Sequence, residues 1–415
     1  MNYSDACTYI DSLKTRGIMP GLDSMRALCA ALGNPQNGLD FIHIAGTNGK
    51  GSVGTFLSEI FCAANYTVGR YYSPCVSERR DILRLNGRII AEDDYAYCAS
   101  LVKDACDRLA EDGVFPTAFE FETAMAFVYF RLKGCDICIV ECGMGGALDA
   151  TNVLHSRYAV FTHISLDHTA FLGDSLAEIA QNKAGIVKGT CLQKAFSSPQ
   201  ADEVIEVLQK HCDEYSVPLL FTDEVKDFRL DGLETVFDYD GLKDLRLRMA
   251  GAFQPQNAAL AYTVAKDFGI AEEYIRQGLY SAVWEYRFEI TGHDPYWVFD
   301  GAHNPDAASQ LARSLERYFP DKRLCFIIGV FADKDYSEIL RLTAPLACRI
   351  ACVTPPTPRG LDAKLLADIA RLYCADTLAA SSYSEAVSLC ENYDCDAVIV
   401  FGSLSFLKYI KKDKN

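Results

Sequence analysis

Lys50 stands in the run Gly46, Thr47, Asn48, Gly49, Lys50, Gly51, Ser52. The apolar residues 42–45 precede it, and Val53, Phe56, Leu57, Ile60 and Phe61 follow at helical spacing. A strand, a glycine-rich loop and a helix in that order form a phosphate cradle. Backbone N–H groups and the helix N-terminus face the phosphate oxygens, and the lysine adds a full charge. Ser52 supplies a hydroxyl at the phosphate or metal end. The spacing departs from the usual P-loop, because Ile44 takes the place of the first glycine and Gly51 separates Lys50 from Ser52. A strand-to-helix turn built only for packing is the alternative.

Other residues carry weaker signals. Glu141 closes the apolar residues 137–140. An acid at the tip of a buried strand is costly unless it is paired or on a metal, and beside a phosphate cradle holding Mg2+ is the simplest role. His168, in the pair Asp167–His168 just past the strand 160–165, could ligate a second metal ion or be packed in the core or on the surface. Ser73, after the strand 67–72, could reach a metal or be a turn serine. Asp300 and His303 fall in Asp-Gly-Ala-His-Asn-Pro at 300–305, a strand-to-helix turn that faces ligand in doubly wound sheets. Lys183, on an apolar-sided helix near a glycine break, is by itself an ordinary solvated lysine.

The elements around these residues follow from periodicity and punctuation. Residues 4–32 read as helix, turn, helix, broken between Gly17 and Gly21, with packing as their only evident role. Thr117, Glu120 and Glu122 open a helix whose Met125, Phe127, Val128 and Phe130 form a core stripe. Gly143, Gly145 and Gly146, then Asp149 and Asn152, make a tight loop against ligand. Residues 191–248 give a helix, short strands and hairpins near Gly232 and Gly241. Strands at 324–330, 349–353 and 397–401 alternate with helices in a second α/β unit.

Length allows two domains in the 415 residues. A net charge of −16 excludes the basic face of a nucleic-acid binder and requires positive charge to be gathered locally, with Lys50, Arg79, Arg80, Lys183 and Arg287 as candidates. The 17 cysteines lack paired metal spacing and read as small buried hydrophobes in a reducing compartment. No signal-peptide core or membrane-length apolar run is present in the sequence, so a cytoplasmic protein is expected.

The run at 46–52 resembles the ATP loop of the Mur-type ligases. The glycine between Lys50 and Ser52 resembles their folate branch, the folylpolyglutamate and dihydrofolate synthases. Asp333-Lys334-Asp335, Gly402-Ser403 and the 300–305 turn resemble further motifs of that branch, in the same order over nearly the whole chain. The resemblance implies that Thr47, Asn48, Gly49, Lys50, Gly51, Ser52, Asn257, Arg287 and Asp300 bind ATP. It implies metal ligation by Ser73, Glu141 and His168, and a folate pocket including Phe119, Glu120, Leu148, Asp149 and Ala150. Lys50, Lys183, His168, Asp300 and His303 become the catalytic set, with Lys183 carbamylated by CO2. Four positions depart from the family pattern: Cys75 replaces a His, Ala147 an Arg, Phe253 a His, and Glu285-Tyr286 a Pro-Gly pair.

The expected architecture is α/β, with a P-loop-type ATPase domain like the Mur ligase central domain over residues 1–287. A smaller Rossmann-like C-terminal domain that binds glutamate follows over 288–415. The expected activity is ATP-dependent addition of L-glutamate to a folate, or to dihydropteroate, through an acyl phosphate. ATP, two Mg2+ ions and the Lys183 carbamate serve as cofactors in a monomer with no nucleic-acid or membrane partner. The alternatives are a Mur-type ligase acting on another carboxylate, a kinase using the same loop, and a degenerate ATP-binding module.

Overall fold

In the computed structural model every residue is described except Ile18, Pro20, His168, Thr190 and Asn415, and the side chain of Ala170. The apolar run before the lysine loop is strand β1 (Phe41–Ala45), buried at all five positions, as a strand covered on both faces must be. The same unit contains β2 (Val68–Tyr71), β3 (Leu83–Leu85), β4 (Arg88–Ile89), β5 (Ile137–Glu141), β6 (Tyr158–Phe161), β7 (Lys194–Ser197) and β8 (Leu219–Phe221). Among the described residues these form one eight-stranded sheet in the order β4-β3-β2-β5-β1-β6-β7-β8. The pairings around β1 are parallel, and β3 and β4 add an antiparallel edge.

Register decides where the chemistry can gather. Ile44 lies opposite Glu141 and Ala45 opposite Phe161. The loops leaving β1, β5 and β6 therefore open at the same end of the sheet, on either side of its central strand, where such sheets build their sites. The helix Ala118–Lys133 starts on a capping box formed by Thr117 and Glu120 and stops at Gly134, which has φ 62°. Its Phe127 meets Phe41 edge-on at 5.7 Å, tying the helix to the central strand.

The chain divides into two compact units, Met1–Glu224 with Gln256–Ser281, and Val225–Pro255 with Ala282–Asn415. The second contains an antiparallel sheet of β9 (Arg229–Asp231), β10 (Glu234–Tyr239) and β11 (Leu242–Leu247). It also contains β12 (Glu289–Thr291), β13 (Tyr296–Phe299), β14 (Leu324–Ile328), β15 (Ala347–Cys352), β16 (Thr377–Ala379) and β17 (Ala397–Phe401). These pair in the order β12-β13-β17-β14-β15-β16. The expected hairpins near Gly232 and Gly241 are β9–β10 and β10–β11.

The crossings between units fall at 224/225, 255/256 and 281/282 rather than at a single cut after Arg287. Val225–Pro255 joins the second unit because its apolar side chains pack there. Phe228 and Leu230 lie on the core built by Leu311, Leu315 and Phe326, and Thr235 Oγ1 bonds the Tyr318 hydroxyl. All 17 cysteines are free thiols, most of them buried. Among the described residues no helix is long and apolar enough to cross a membrane.

Candidate functional site

The loop after β1 turns through Gly46, φ 153°, and Gly49, φ 93°, values that side chains rarely allow. Space imposes the same choice. A Cβ on Gly46 would lie 1.9 Å from Thr162 Oγ1, and one on Gly49 would lie 2.6 Å from Asn257 Oδ1. Asn257 is thus brought against the loop from the helix Gln254–Phe268. The loop is stitched to the segment after β6. The N–H groups of Thr47 and Asn48 donate to the His163 carbonyl at 2.9 and 3.2 Å. Thr47 Oγ1 donates to Ser165 O at 2.9 Å and accepts its N–H at 3.0 Å. The helix Lys50–Ala63 begins immediately afterwards, and its first-turn N–H groups, which have no intrahelical acceptor, form the anion-facing surface.

Two lysines meet at this loop. Lys50 Nζ donates to the carbonyls of Gly46 at 3.1 Å and Thr47 at 3.4 Å. Lys183, only 4% exposed near the end of the helix Leu176–Ala184, donates to the same Gly46 carbonyl at 2.9 Å. Burial first, and then the Lys50 charge, pulls the Lys183 ammonium down to about 7. A lysine lowered this far presents a neutral, nucleophilic amine near neutral pH far more often than a solvated one. Lys183 is therefore a buried group of the phosphate-loop site and not a solvated lysine.

Glu141 ends β5 and is buried. Asp167 is close enough to raise the Lys183 pKa by its charge. His168, expected to ligate metal, lies outside the described residues. Among the described residues no group of three or more His, Cys, Asp or Glu side chains is arranged to hold a metal ion. Glu141 and Ser73 carry oxygen atoms of the hard-donor kind that suits Mg2+.

At the same end of the sheet, lined by residues that follow β2 and β5, is a pocket of about 360 Å³. Ser73, Phe119, Glu120, Leu148, Asp149 and Ala150 all line it, so the structure brings together side chains the sequence spreads over 78 positions. Two of the acids are already engaged. Glu120 Oε2 accepts the Thr117 N–H at 2.7 Å and its hydroxyl at 2.9 Å. Asp149 takes the N–H groups of Met144 at 2.9 Å and Thr151 at 3.0 Å. Both carboxylates thereby shape the pocket by fixing its backbone.

Sequence reasoning missed Met19 and Phe171, which line the same pocket beside Met144 of the glycine-rich loop. Met19 and Phe171 are 64% and 58% exposed, an unusual state for large apolar side chains grouped with Leu148 at one opening. The only signal for Met19 was the glycine pair that brackets it, which reads simply as a helix break. His43, also missed, is buried in β1 with Nε2 2.8 Å from Thr151 Oγ1 and 3.2 Å from Cys142 Sγ. Burial holds its imidazole neutral, down to about 3, and pushes the Cys142 thiol up, so the pair is no thiolate–imidazolium nucleophile.

In the second unit the 300–305 turn joins β13 to the helix Pro305–Tyr318, which Asn304 caps through the Ala307 N–H at 2.8 Å. Asp300, buried, accepts the N–H groups of Phe288 at 2.8 Å and Ala302 at 2.7 Å. Burial raises its carboxyl pKa, and the Arg287 charge opposes the rise. His303 Nδ1 sits 2.8 Å from the Gly301 carbonyl, so the ring donates there and keeps Nε2 as the second site. Tyr286, at the family's glycine position before Arg287, has φ 56°. A glycine occupies that region freely, whereas tyrosine there costs on the order of 1–2 kcal/mol. Arg287 is held between it and Phe288, φ 49°.

Comparison with known proteins agrees with this geometry. Residues 44–265 match the Mur ligase middle domain and residues 286–404 the Mur ligase glutamate ligase domain. The chain is 31% identical to a dihydrofolate synthase/folylpolyglutamate synthase of Bacillus subtilis, covering 99% of this chain and 98% of that protein. It is 33% identical to a probable bifunctional folylpolyglutamate synthase/dihydropteroate synthase of Haloferax volcanii, of which it spans only 45%. The crystal structure of Mycobacterium tuberculosis folylpolyglutamate synthase complexed with ADP and AMPPCP superposes with a TM-score of 0.92 at 28% identity, over 100% of this chain and 99% of that one. With both domains matched and a relative aligned over nearly its whole length, the chain belongs to the Mur ligase family, in the branch of the folylpolyglutamate and dihydrofolate synthases.

Proposed function

We propose that this protein is an ATP-dependent ligase that joins L-glutamate to a folate carboxylate. The observation that carries this reading is the apolar pocket of about 360 Å³ opening at the same sheet end as the lysine loop. The pocket suits a flat, largely apolar heterocycle with few polar edges, and the loop suits a polyphosphate. The names of the relatives, and the nucleotides bound to the M. tuberculosis enzyme, support the same pairing.

The reaction then runs in two displacements. A folate carboxylate oxygen attacks the γ-phosphorus of ATP, and ADP leaves. The neutral α-amine of glutamate attacks the acyl carbon, phosphate leaves, and the amine proton is lost. No side-chain nucleophile is needed. Lys50 and the first-turn N–H groups of the helix Lys50–Ala63 stabilise charge on the transferring phosphoryl group. Thr47 fixes the loop, and Asn257, which borders it at Gly49, is assigned to the nucleotide. Glu141 and Ser73 would hold one Mg2+ and His168 a second; the metal supplies charge neutralisation between two anions. Lys183, its ammonium lowered to about 7, is the amine that CO2 would convert to a carbamate. Arg287, Asp300 and His303 are assigned to ATP and glutamate, the second unit being the glutamate-binding one. The acceptor is tetrahydrofolate, dihydropteroate or both, and the enzyme works as a cytoplasmic monomer.

The test is phosphate release and product mass with MgATP and L-glutamate, run in parallel on dihydropteroate and tetrahydrofolate, with Lys50→Ala as control. Gain of one glutamyl unit, absent in the control, is the expected result. ATP binding without product on either acceptor would move the assignment to another carboxylate.

A further inference from the structure

Arg70 lies on β2, outside every motif considered above, and is 4% exposed. Its Nη2 donates to the Gly51 carbonyl at 2.8 Å, inside the first turn of the helix that carries Lys50. Its guanidinium stands 4.8 Å over the Tyr72 ring. Gly54 of that helix lies against it, where an added Cβ would come 3.4 Å from Arg70 Nε. Burial pulls the guanidinium down to about 10, against the carboxylate charges of Glu141 and Glu59, so it remains a cation at neutral pH.

Placing a cation there is expensive, and the Gly51 carbonyl does not require it. The Gly51 carbonyl already accepts the Thr55 hydroxyl at 2.7 Å, so it would not be orphaned without Arg70. What Arg70 adds is a fixed positive charge directly beneath the turn whose N–H groups face phosphate, on the side away from solvent where screening is weak. We propose that Arg70 is a positioning residue for the nucleotide, a buried cation that holds the first turn of the helix Lys50–Ala63 and strengthens its attraction for the β- and γ-phosphates. The proposal rests on the ATP assignment made above. Arg70 acts through the loop and touches no reacting atom.

Calorimetric titration of MgATP and of AMP, which lacks the β- and γ-phosphates, into wild type and Arg70 variants tests it, with thermal unfolding measured on each. Arg70→Met and Arg70→Gln both remove the charge, so one folded neutral variant suffices; Arg70→Lys keeps it. ATP affinity is expected to fall tenfold or more in the neutral variants and to stay within threefold of wild type in Arg70→Lys, with AMP affinity within threefold throughout. Unchanged ATP affinity in a folded neutral variant, or an equal loss for ATP and AMP, overturns the proposal while leaving the ATP assignment standing. A wild-type protein that binds no MgATP overturns both.

Discussion

The ammonium groups of Lys50 and Lys183 converge on one acceptor, the carbonyl oxygen of Gly46, at 3.1 and 2.9 Å. Lysine ammoniums sharing an acceptor repel one another, and the more buried of the two gives way. Lys183 is that group. Lys50→Met removes the repulsion and is expected to raise the pKa of Lys183 from about 7. In 13C NMR with labelled bicarbonate, the half-maximal carbamate signal at Lys183 should move to higher pH. An unmoved midpoint would show that the two charges are not coupled. The same variant should lose at least a hundredfold in kcat, the usual effect of deleting one main stabiliser of transition-state charge.

His43 makes the fold acid-sensitive. Its imidazole sits at about 3 in the folded protein against 6.5 ordinarily, so the unfolded chain binds the extra proton between those values. Its contribution to stability is present in full above pH 6.5 and is lost as pH falls through that window, at up to about 1.4 kcal/mol per pH unit. His43→Gln keeps a partner for Thr151 and does not titrate. The stability advantage of wild type over the variant, measured by urea unfolding at pH 7.5, 5.5 and 4.5, should shrink or reverse toward acid. A constant difference would contradict a buried neutral ring.

Phe171 faces the pocket and is more than half exposed, so truncating it costs the fold little. If it covers a bound heterocycle, Phe171→Ser removes apolar contact worth on the order of 1.5 kcal/mol. Steady-state kinetics should then show KM for the folate acceptor up about tenfold, with KM for ATP within twofold. A change confined to ATP would place Phe171 at the wrong ligand.

Asp300 has a local structural duty that can be separated from any contact with substrate. Asp300→Asn turns one acceptor into an N–H2 facing either the Phe288 or the Ala302 amide. The expected loss is about 1–3 kcal/mol of stability in denaturant titration, even without ligands. A variant as stable as wild type would free Asp300 for an exclusively catalytic role.

The phosphate loop was legible because its chemistry demands rare residues in fixed order, a lysine among glycines between a strand and a helix. The place of Glu141 at the tip of a buried strand was legible because it closes an unbroken apolar run. Met19 and Phe171 were not, since an apolar side chain at a pocket mouth has the same sequence signature as one in the core. Glu120, Asp149 and Asp300 show the converse limit. Each was assigned to ligand, and each is seen to spend carboxylate oxygens on nearby backbone N–H groups, a distinction that residue type alone does not encode. The helix that β9–β11 would pack on was equally hidden, because the contacts that decide it, such as Thr235 with Tyr318, join residues 83 positions apart.

The excursion of Val225–Pro255 bears on how the chain is made. A ribosome delivers residues in order, and domains generally fold as units as they emerge. Here the first unit lacks its closing pair of helices until Ser281 has been synthesised, while the opening strands of the second already hang from it. Those strands in turn must wait for the helix Pro305–Tyr318 and the strands that follow. Neither half can be finished while the other is wholly unmade, so the two mature as interleaved projects, and a chain cut after Arg287 would yield a fragment carrying β9–β11 without the core on which they rest.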